Sequence, residues 1–252
     1  MVGAGLSGLA AARSLRRAGT DVVVLEARER IGGRVEGGAI DGYPLELGGT
    51  WLGEGHTRMY ELVDELGLET FRTYNDEGQL LVDLLGKQSR MKSSKGAVPK
   101  LGPFALADLG QGLLRFARMA KTVPLDEPWA AGKAEVWDGQ TFESWIRRNL
   151  RTPSGRAYFR IACEAVFSAD SADMSLLHAL FYANANGDLE TLLAVDKGAQ
   201  QDRVVGGTIR VAEELAAGLD VRLSSPVRTI RHTSDSVEVV LRDGSSVSGD
   251  DV

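Results

Sequence analysis

Three glycines near the start of the chain, Gly3, Gly5 and Gly8, have the spacing G-x-G-x-x-G. Between a strand and a helix, the first permits a tight turn, the second lets the backbone approach a pyrophosphate, and the third allows the helix to pack closely on the sheet. Leu6 and Ser7 begin the predicted helix, whose N–H groups and positive dipole end would face the phosphates. The pattern therefore predicts a dinucleotide-binding turn.

The elements that must position this turn follow it directly. An Ala-rich helix is predicted over residues 6–18 with Gly19 at its C-terminal end, and a valine-rich strand is predicted over residues 22–25. Glu26 ends that strand, where its carboxylate can accept hydrogen bonds from both ribose hydroxyls and would repel a 2′-phosphate. NADP is therefore disfavoured, while FAD and NAD both stay open at this point.

A second cluster, which reads EARERIGGR from Glu26 to Arg34, distinguishes between FAD and NAD. Arg28 and Arg34 each carry five N–H donors, which suit the pyrophosphate and the ribityl end of a flavin. With Ala27 and Gly33 between them, they resemble the E-x-R-x-R-x-G-G-R signature of the flavin-containing amine oxidases. The resemblance implies FAD as the cofactor and disfavours an NAD-dependent dehydrogenase.

A third stretch, ELGGTWLG from Glu46 to Gly53, resembles the L-G-G-x-aromatic segment of the same family. The resemblance implies that the backbone of Gly48, Gly49 and Thr50 lies along the flavin and that Trp51 approaches the substrate path.

The segment from Gly198 to Gly207, GAQQDRVVGG, resembles an element of the monoamine oxidase and putrescine oxidase branch. Polyamine oxidases, phytoene desaturases and protoporphyrinogen oxidases share the first cluster but resemble this element less. By the same resemblance, the amine channel near the flavin is lined by Ala165, Val166, Leu192, Leu193 and Gln200. An equal alternative is that the two leucines are core residues of a strand.

Val227 matches a family position whose backbone contacts the adenine. An alternative of equal weight is that Val227 begins a buried strand that continues to Ile230.

The resemblance implies an α/β fold, in which a Rossmann-like FAD-binding domain with a doubly wound sheet carries an inserted, mostly helical substrate domain. We predict segments 1–71 and 204–252 for the FAD-binding domain and 72–203 for the substrate domain. Within the substrate segment, the basic stretch from Lys87 to Lys100 is predicted to be a solvated loop.

Both ends of the chain predict a truncated fold. Only Met1 and Val2 precede Gly3, although the central strand of such a sheet has about five or six apolar residues. Near the other end, residues 236–241 predict a strand, Asp243-Gly244 a hairpin turn, and residues 245–252 a partner strand. We expect an N-terminal fragment or a miscalled gene of such an oxidase, with weak or no flavin retention by this chain alone.

The activity implied by the resemblance is oxidation of a primary amine, either a monoamine or a diamine, to the imine and aldehyde, with O2 reduced to H2O2. No acid or base here is an obvious catalyst, and no catalytic residue is assigned. Two alternatives stay open: a catalytically inactive dinucleotide-binding fragment, and another oxidoreductase of the superfamily that acts on polyamines or amino acids.

Composition limits the partners. The net charge of −6 argues against nucleic acid, and the apolar runs are shorter than the roughly 18 residues of a membrane span. Without a secretory signal, we expect a cytoplasmic protein, and a homodimer stays open. Cys163 is the only cysteine and is predicted to be a core residue. The histidines are scattered, so we predict no metal site.

Overall fold

The computed structural model describes residues 1–75, 80–91 and 100–251. The chain divides into two compact units. The first unit contains Met1–Trp51, Thr57–Phe71 and Arg203–Val252, and the second contains Leu52–His56 and Arg72–Asp202.

The helices are α1 (Leu6–Arg17), α2 (Thr57–Glu65), α3 (Pro103–Ala120), α4 (Ala134–Asp138), α5 (Phe142–Asn149), α6 (Pro153–Phe167), α7 (Leu176–Ala185), α8 (Leu189–Leu193) and α9 (Ile209–Ala216). The strands are β1 (Val23–Leu25), β2 (Gly37–Ile40), β3 (Tyr43–Glu46), β4 (Trp51–Leu52), β5 (Thr70–Arg72), β6 (Leu80–Leu84), β7 (Lys87–Met91), β8 (Asp202–Val204), β9 (Asp220–Arg222), β10 (Val227–His232), β11 (Val237–Leu241) and β12 (Ser246–Gly249).

Parallel pairing organises the start of the first unit. Val2 forms a parallel bridge with Leu25, and β1 pairs in parallel with β9. Helix α1 follows the segment that contains Val2. It ends at Arg17, one residue before the predicted end at Ala18, because Gly19 adopts a positive φ of 91°. The buried faces of α1 and α9 include Leu9 and Val211, and the two helices pack against each other.

An antiparallel sheet in the order β10-β11-β12 completes the first unit. Val237, Val239 and Leu241 alternate along β11 and form an apolar cluster with Leu25. The predicted hairpin turn is present, with Gly244 at a φ of 90°. Strand β12 ends at Gly249 and is therefore shorter than the predicted partner strand.

The second unit is built around aromatic rings from three helices. Phe116 of α3, Phe142 and Trp145 of α5, and Phe159 of α6 are all buried, with ring centroids 5.2–6.1 Å apart. Helix α5 begins where Thr141 accepts a hydrogen bond from the backbone N–H of Ser144. The helices therefore bury a continuous apolar face.

A β-hairpin corrects one prediction for this unit. Residues 87–91, expected to lie in a solvated loop, form β7, which pairs antiparallel with β6. Asp83 accepts a hydrogen bond from the backbone N–H of Gly86, and this contact stabilises the turn between the strands. Lys92 and Lys95 lie outside the described residues. Within the part of the chain that is described, no helix is both long and apolar enough to span a membrane.

The aromatic core predicts a large effect for Phe142→Ala. Because the ring is fully buried among three others, its removal leaves a cavity and should lower the free energy of unfolding by about 3–5 kcal/mol. Phe104→Ala is the matched control, since Phe104 is 89% exposed and its loss should change stability by less than about 0.5 kcal/mol. Urea unfolding followed by tryptophan fluorescence measures both. Equal losses in the two variants would contradict the assigned core.

Candidate functional site

The glycine turn has the geometry that its spacing requires. Gly3 adopts a φ of 95°, and a Cβ added to Gly8 would lie 2.1 Å from the Gly3 carbonyl oxygen. Gly5 is the N-cap of α1, which has no side-chain cap and no acidic residue in its first turn. The first turn, which contains Leu6 and the exposed Ser7, therefore keeps the positive character that favours an anion.

Glu26 lies beside this turn and has a role that the sequence did not predict. Its carboxylate is buried, and the residue is 8% exposed. Oε2 accepts a hydrogen bond from the backbone N–H of Ala4 at 2.7 Å, and Oε1 accepts one from the backbone N–H of Arg28 at 2.9 Å. A carboxylate offers about four acceptor positions, so it can hold the backbone and still accept from two ribose hydroxyls.

The arginine cluster lies directly against the glycine turn. The backbone N–H of Gly32 donates to the carbonyl of Ala4 at 2.8 Å, and a Cβ added to Gly33 would lie 3.1 Å from the Cα of Gly5. Arg28 and Arg34 are exposed, as is Ala27, and neither arginine has a carboxylate partner among the residues that the structure describes. Arg28 Nη1 donates to the Gly33 carbonyl at 3.3 Å, and the remaining N–H groups of the two guanidinium groups are available to an anion.

The segment Gly48–Trp51 reaches the same cluster. The backbone N–H of Gly49 donates to the Arg34 carbonyl at 2.9 Å, and a Cβ on Gly48 would lie 2.2 Å from that oxygen. Thr50 Oγ1 donates to the Gly48 carbonyl at 3.0 Å, and Trp51 is 49% exposed. The structure thus brings three separate sequence motifs into one region of the first unit.

Val227 begins a strand, as one of its two predicted alternatives states, but that strand is exposed after its first residue, with Ile230 46% exposed; the backbone contact with the adenine stays a prediction. It is the first residue of β10, pairs with Leu241, and packs against the apolar cluster that includes Leu25. Just before it, the backbone N–H of Ser225 donates to the Glu26 carbonyl at 2.8 Å. Val227 is therefore a strand residue that follows, by two positions, the Ser225 that contacts the backbone of Glu26.

The predicted substrate residues all lie in the second unit. Ala165 is exposed on α6, while Val166 is half-buried and packs against the helical core. The two leucines lie on α8, so the strand alternative is wrong. Leu192 is 6% exposed within the core, and Leu193 packs against that core while partly exposed. Gln200 is half-buried, and its backbone N–H donates to Ala194 at 3.2 Å.

Cys163 is a core residue, as predicted. It is fully buried in the helical core, and burial, with smaller effects from Asp170 and Glu164, raises the pKa of its thiol to about 11. The thiol is thus protonated at neutral pH and is a poor nucleophile.

The described histidines also lack the geometry of a metal site. His56 Nδ1 accepts a hydrogen bond from the backbone N–H of Gly53, and His178 packs among aromatic rings. No group of three metal-ligating side chains is present in residues 1–75, 80–91 and 100–251.

One buried ion pair was missed by the sequence analysis. Glu46 and Arg203 belong to two different motifs, and Arg203 Nη2 lies 2.5 Å from Glu46 Oε2. Thr208 also donates to this carboxylate, through its backbone N–H and its hydroxyl. The sequence offers one sign of this pair: Glu46 lies shortly before the glycine pair Gly48-Gly49, and the oppositely charged Arg203 lies shortly before the pair Gly206-Gly207.

The contact between Gly8 and Gly3 predicts opposite effects for one substitution at two helical glycines. Gly8→Ala should lower the free energy of unfolding by about 1–3 kcal/mol, because the new methyl group meets a backbone oxygen. Gly110→Ala should raise it by about 1 kcal/mol, because no described atom lies within 4 Å of the added Cβ and alanine favours the helix. Chemical denaturation measures both. A stable Gly8→Ala variant would contradict the turn geometry.

Comparison with known proteins identifies the family of the chain. The family model for flavin-containing amine oxidoreductases matches residues 6–252. The protein named flavin-containing monoamine oxidase AofH in Mycobacterium tuberculosis is 38% identical over 99% of this chain. The match covers 54% of that relative, so the chain spans about half its length.

Two solved structures are similar in fold. Putrescine oxidase bound to putrescine superposes with a TM-score of 0.87 at 30% identity, over 99% of this chain and 55% of that one. Cyclohexylamine oxidase from Brevibacterium oxydans gives a TM-score of 0.89 at 30% identity, with the same coverage of both chains. The cofactor of this group is FAD. With its α/β fold and its match over residues 6–252, the chain belongs to the flavin-containing amine oxidoreductase family.

Proposed function

We propose that this chain carries the FAD-binding and substrate-lining residues of an amine oxidase. The observation that carries the proposal is the arrangement around Glu26, whose buried carboxylate lies between the uncapped start of α1 and two arginines without carboxylate partners in the described part of the chain. This arrangement combines ribose acceptors with pyrophosphate donors. In this proposal, the first unit is a Rossmann-like FAD-binding domain and the second is a substrate domain.

Each part of FAD has candidate partners in the first unit. Glu26 would accept hydrogen bonds from the ribose, and the start of α1 would bind the pyrophosphate together with Arg28 and Arg34. The backbone of Gly48–Trp51 would lie along the flavin ring, and the backbone of Val227 would face the adenine. When bound, FAD supplies the oxidising group, which accepts a hydride equivalent from the amine carbon and passes the electrons to O2 to give H2O2.

The protein's own contribution on the substrate side is an apolar wall. Ala165, Val166 and Leu193 would line the amine path, with the buried Leu192 packed behind Leu193. A wall of low polarity disfavours the ammonium form, so it would favour the neutral amine that can be oxidised. The half-buried amide of Gln200 would orient the amine by a hydrogen bond.

A primary amine is the substrate class that we propose. Two of the similar solved structures are a putrescine oxidase and a cyclohexylamine oxidase, so a diamine and a monoamine are both represented among the relatives. Amine-dependent release of H2O2 with putrescine or cyclohexylamine tests this proposal. A protein that binds FAD but oxidises no amine would instead be a nucleotide-binding module.

Glu26→Gln tests the cofactor site. In a form of the protein extended to the length of its relatives, the substitution removes a charged acceptor beside the ribose and should weaken FAD binding by about tenfold to a hundredfold, measured by quenching of FAD fluorescence. Glu29→Gln is the matched control, because Glu29 is exposed in the same loop and should not change the affinity. Equal affinity of the Glu26→Gln variant and the unmodified protein would reject the ribose assignment.

Gln200→Leu tests the substrate wall. Since the residue is assigned to amine binding, the variant should retain its FAD content and show a KM for amines raised by about tenfold, as expected for loss of one hydrogen bond. Gln88→Leu, on the exposed face of β7 in the same unit, serves as the control. The assignment of Gln200 is wrong if the variant loses FAD and keeps its amine preference.

A further inference from the structure

The side chain of Glu46 is the most enclosed carboxylate among the ion pairs that the structure describes. It is 5% exposed, although it lies at the end of β3, a strand whose first residues are exposed. Oε2 accepts from Nε and Nη2 of Arg203 at 2.9 and 2.5 Å, and Oε1 accepts from the backbone N–H and hydroxyl of Thr208 at 2.9 and 2.6 Å. Both carboxylate oxygens are therefore held by two donors.

The partners of Glu46 are themselves fixed. The guanidinium of Arg203 lies 5.7 Å from the centre of the Phe71 ring, so it is held between an aromatic face and the carboxylate. Thr208 is the N-cap of α9, and its own side chain does not cap that helix. Glu46 instead fixes Thr208 itself, by accepting from its backbone N–H and hydroxyl from a position 162 residues away in the sequence.

This cluster is connected to the segment that we assign to the flavin. Gly48 lies two residues after Glu46, and Thr208 Oγ1 is 3.2 Å from the carbonyl oxygen of Thr50. The glycines of the segment have no side chains that could anchor it, so their backbone is held by its ends and by the Gly49 contact to Arg34. Glu46 and Thr208 therefore hold the segment on the two sides of the glycine pair, in addition to the backbone N–H of Leu47, which donates to the Glu36 carbonyl at 2.8 Å.

We propose that Glu46 is a positioning residue for FAD binding. Through Arg203 and Thr208, it fixes the backbone of Gly48–Trp51 against the start of α9, so that the segment is ordered before the flavin arrives. The inference rests on the proposed FAD site and assigns to Glu46 no contact with the cofactor. Preorganisation of this kind raises affinity because the cost of ordering the segment is met in the free protein.

Glu46→Gln is the principal test. The glutamine side chain has nearly the shape of glutamate, but its NH2 group cannot accept hydrogen bonds. The donors of either Arg203 or Thr208 therefore lose their acceptor. We expect amide hydrogen exchange in residues 47–51 of the cofactor-free protein to accelerate, and FAD binding to weaken, each by about tenfold or more. Thr208→Val, which removes only the hydroxyl, provides a milder variant and should change both quantities in the same direction.

Glu238→Gln is the matched control. Glu238 also pairs with an arginine in the first unit, Arg231, but this pair is solvent-exposed, and its loss should leave both measurements unchanged. Unchanged exchange in residues 47–51 in both Glu46→Gln and Thr208→Val would overturn the inference. Faster exchange with an unchanged FAD affinity would also overturn it, since Glu46 would then only stabilise the fold. Failure to bind FAD by a form of the protein extended to the length of its relatives would reject the proposed cofactor site, and the exchange result would still decide whether Glu46 orders the segment.

Discussion

A buried carboxylate, Glu26, joins the two backbone segments from which the candidate cofactor site is built. One oxygen holds Ala4 in the glycine turn, and the other holds Arg28 in the arginine cluster. Burying a charge is costly unless hydrogen bonds compensate it, and these two backbone donors provide that compensation. The close approach of Gly5 and Gly33 lies beside the same contacts: a Cβ added to Gly33 would lie 3.1 Å from the Cα of Gly5, so a larger residue at position 33 would require a shift of the opposing backbone.

The two units are stabilised by different kinds of interaction. In the first, short strands and glycine turns are held by backbone hydrogen bonds and by buried carboxylates, which leave polar groups available for a charged nucleotide. In the second, Phe116, Phe142, Trp145 and Phe159 form part of an apolar core. The two units therefore differ in the kind of packing that holds them together.

The chain belongs to the flavin-containing amine oxidoreductases, and its candidate cofactor region draws on segments that lie far apart in the sequence. The glycine turn, the arginine cluster and the Gly48–Trp51 segment all occur within the first 51 residues, yet the buried Glu46 requires Arg203 and Thr208 from a distant part of the sequence. The return of the chain after the helical unit is therefore needed to complete the region around the candidate flavin segment, and not only to add strands to the sheet.

The sequence alone determined the local features that depend on residue type and spacing. The glycine turn, the extent of α1, the hairpin turn at Gly244 and the burial of Cys163 follow from backbone freedom and apolar periodicity, which act over a few residues. The tertiary structure decided what depends on distant partners. It placed Leu192 in a helical core where a strand was considered, and it formed β7 from residues expected to be a loop. It also gave Glu46 its role, because a carboxylate in a sequence carries no sign of donors located more than 150 residues away.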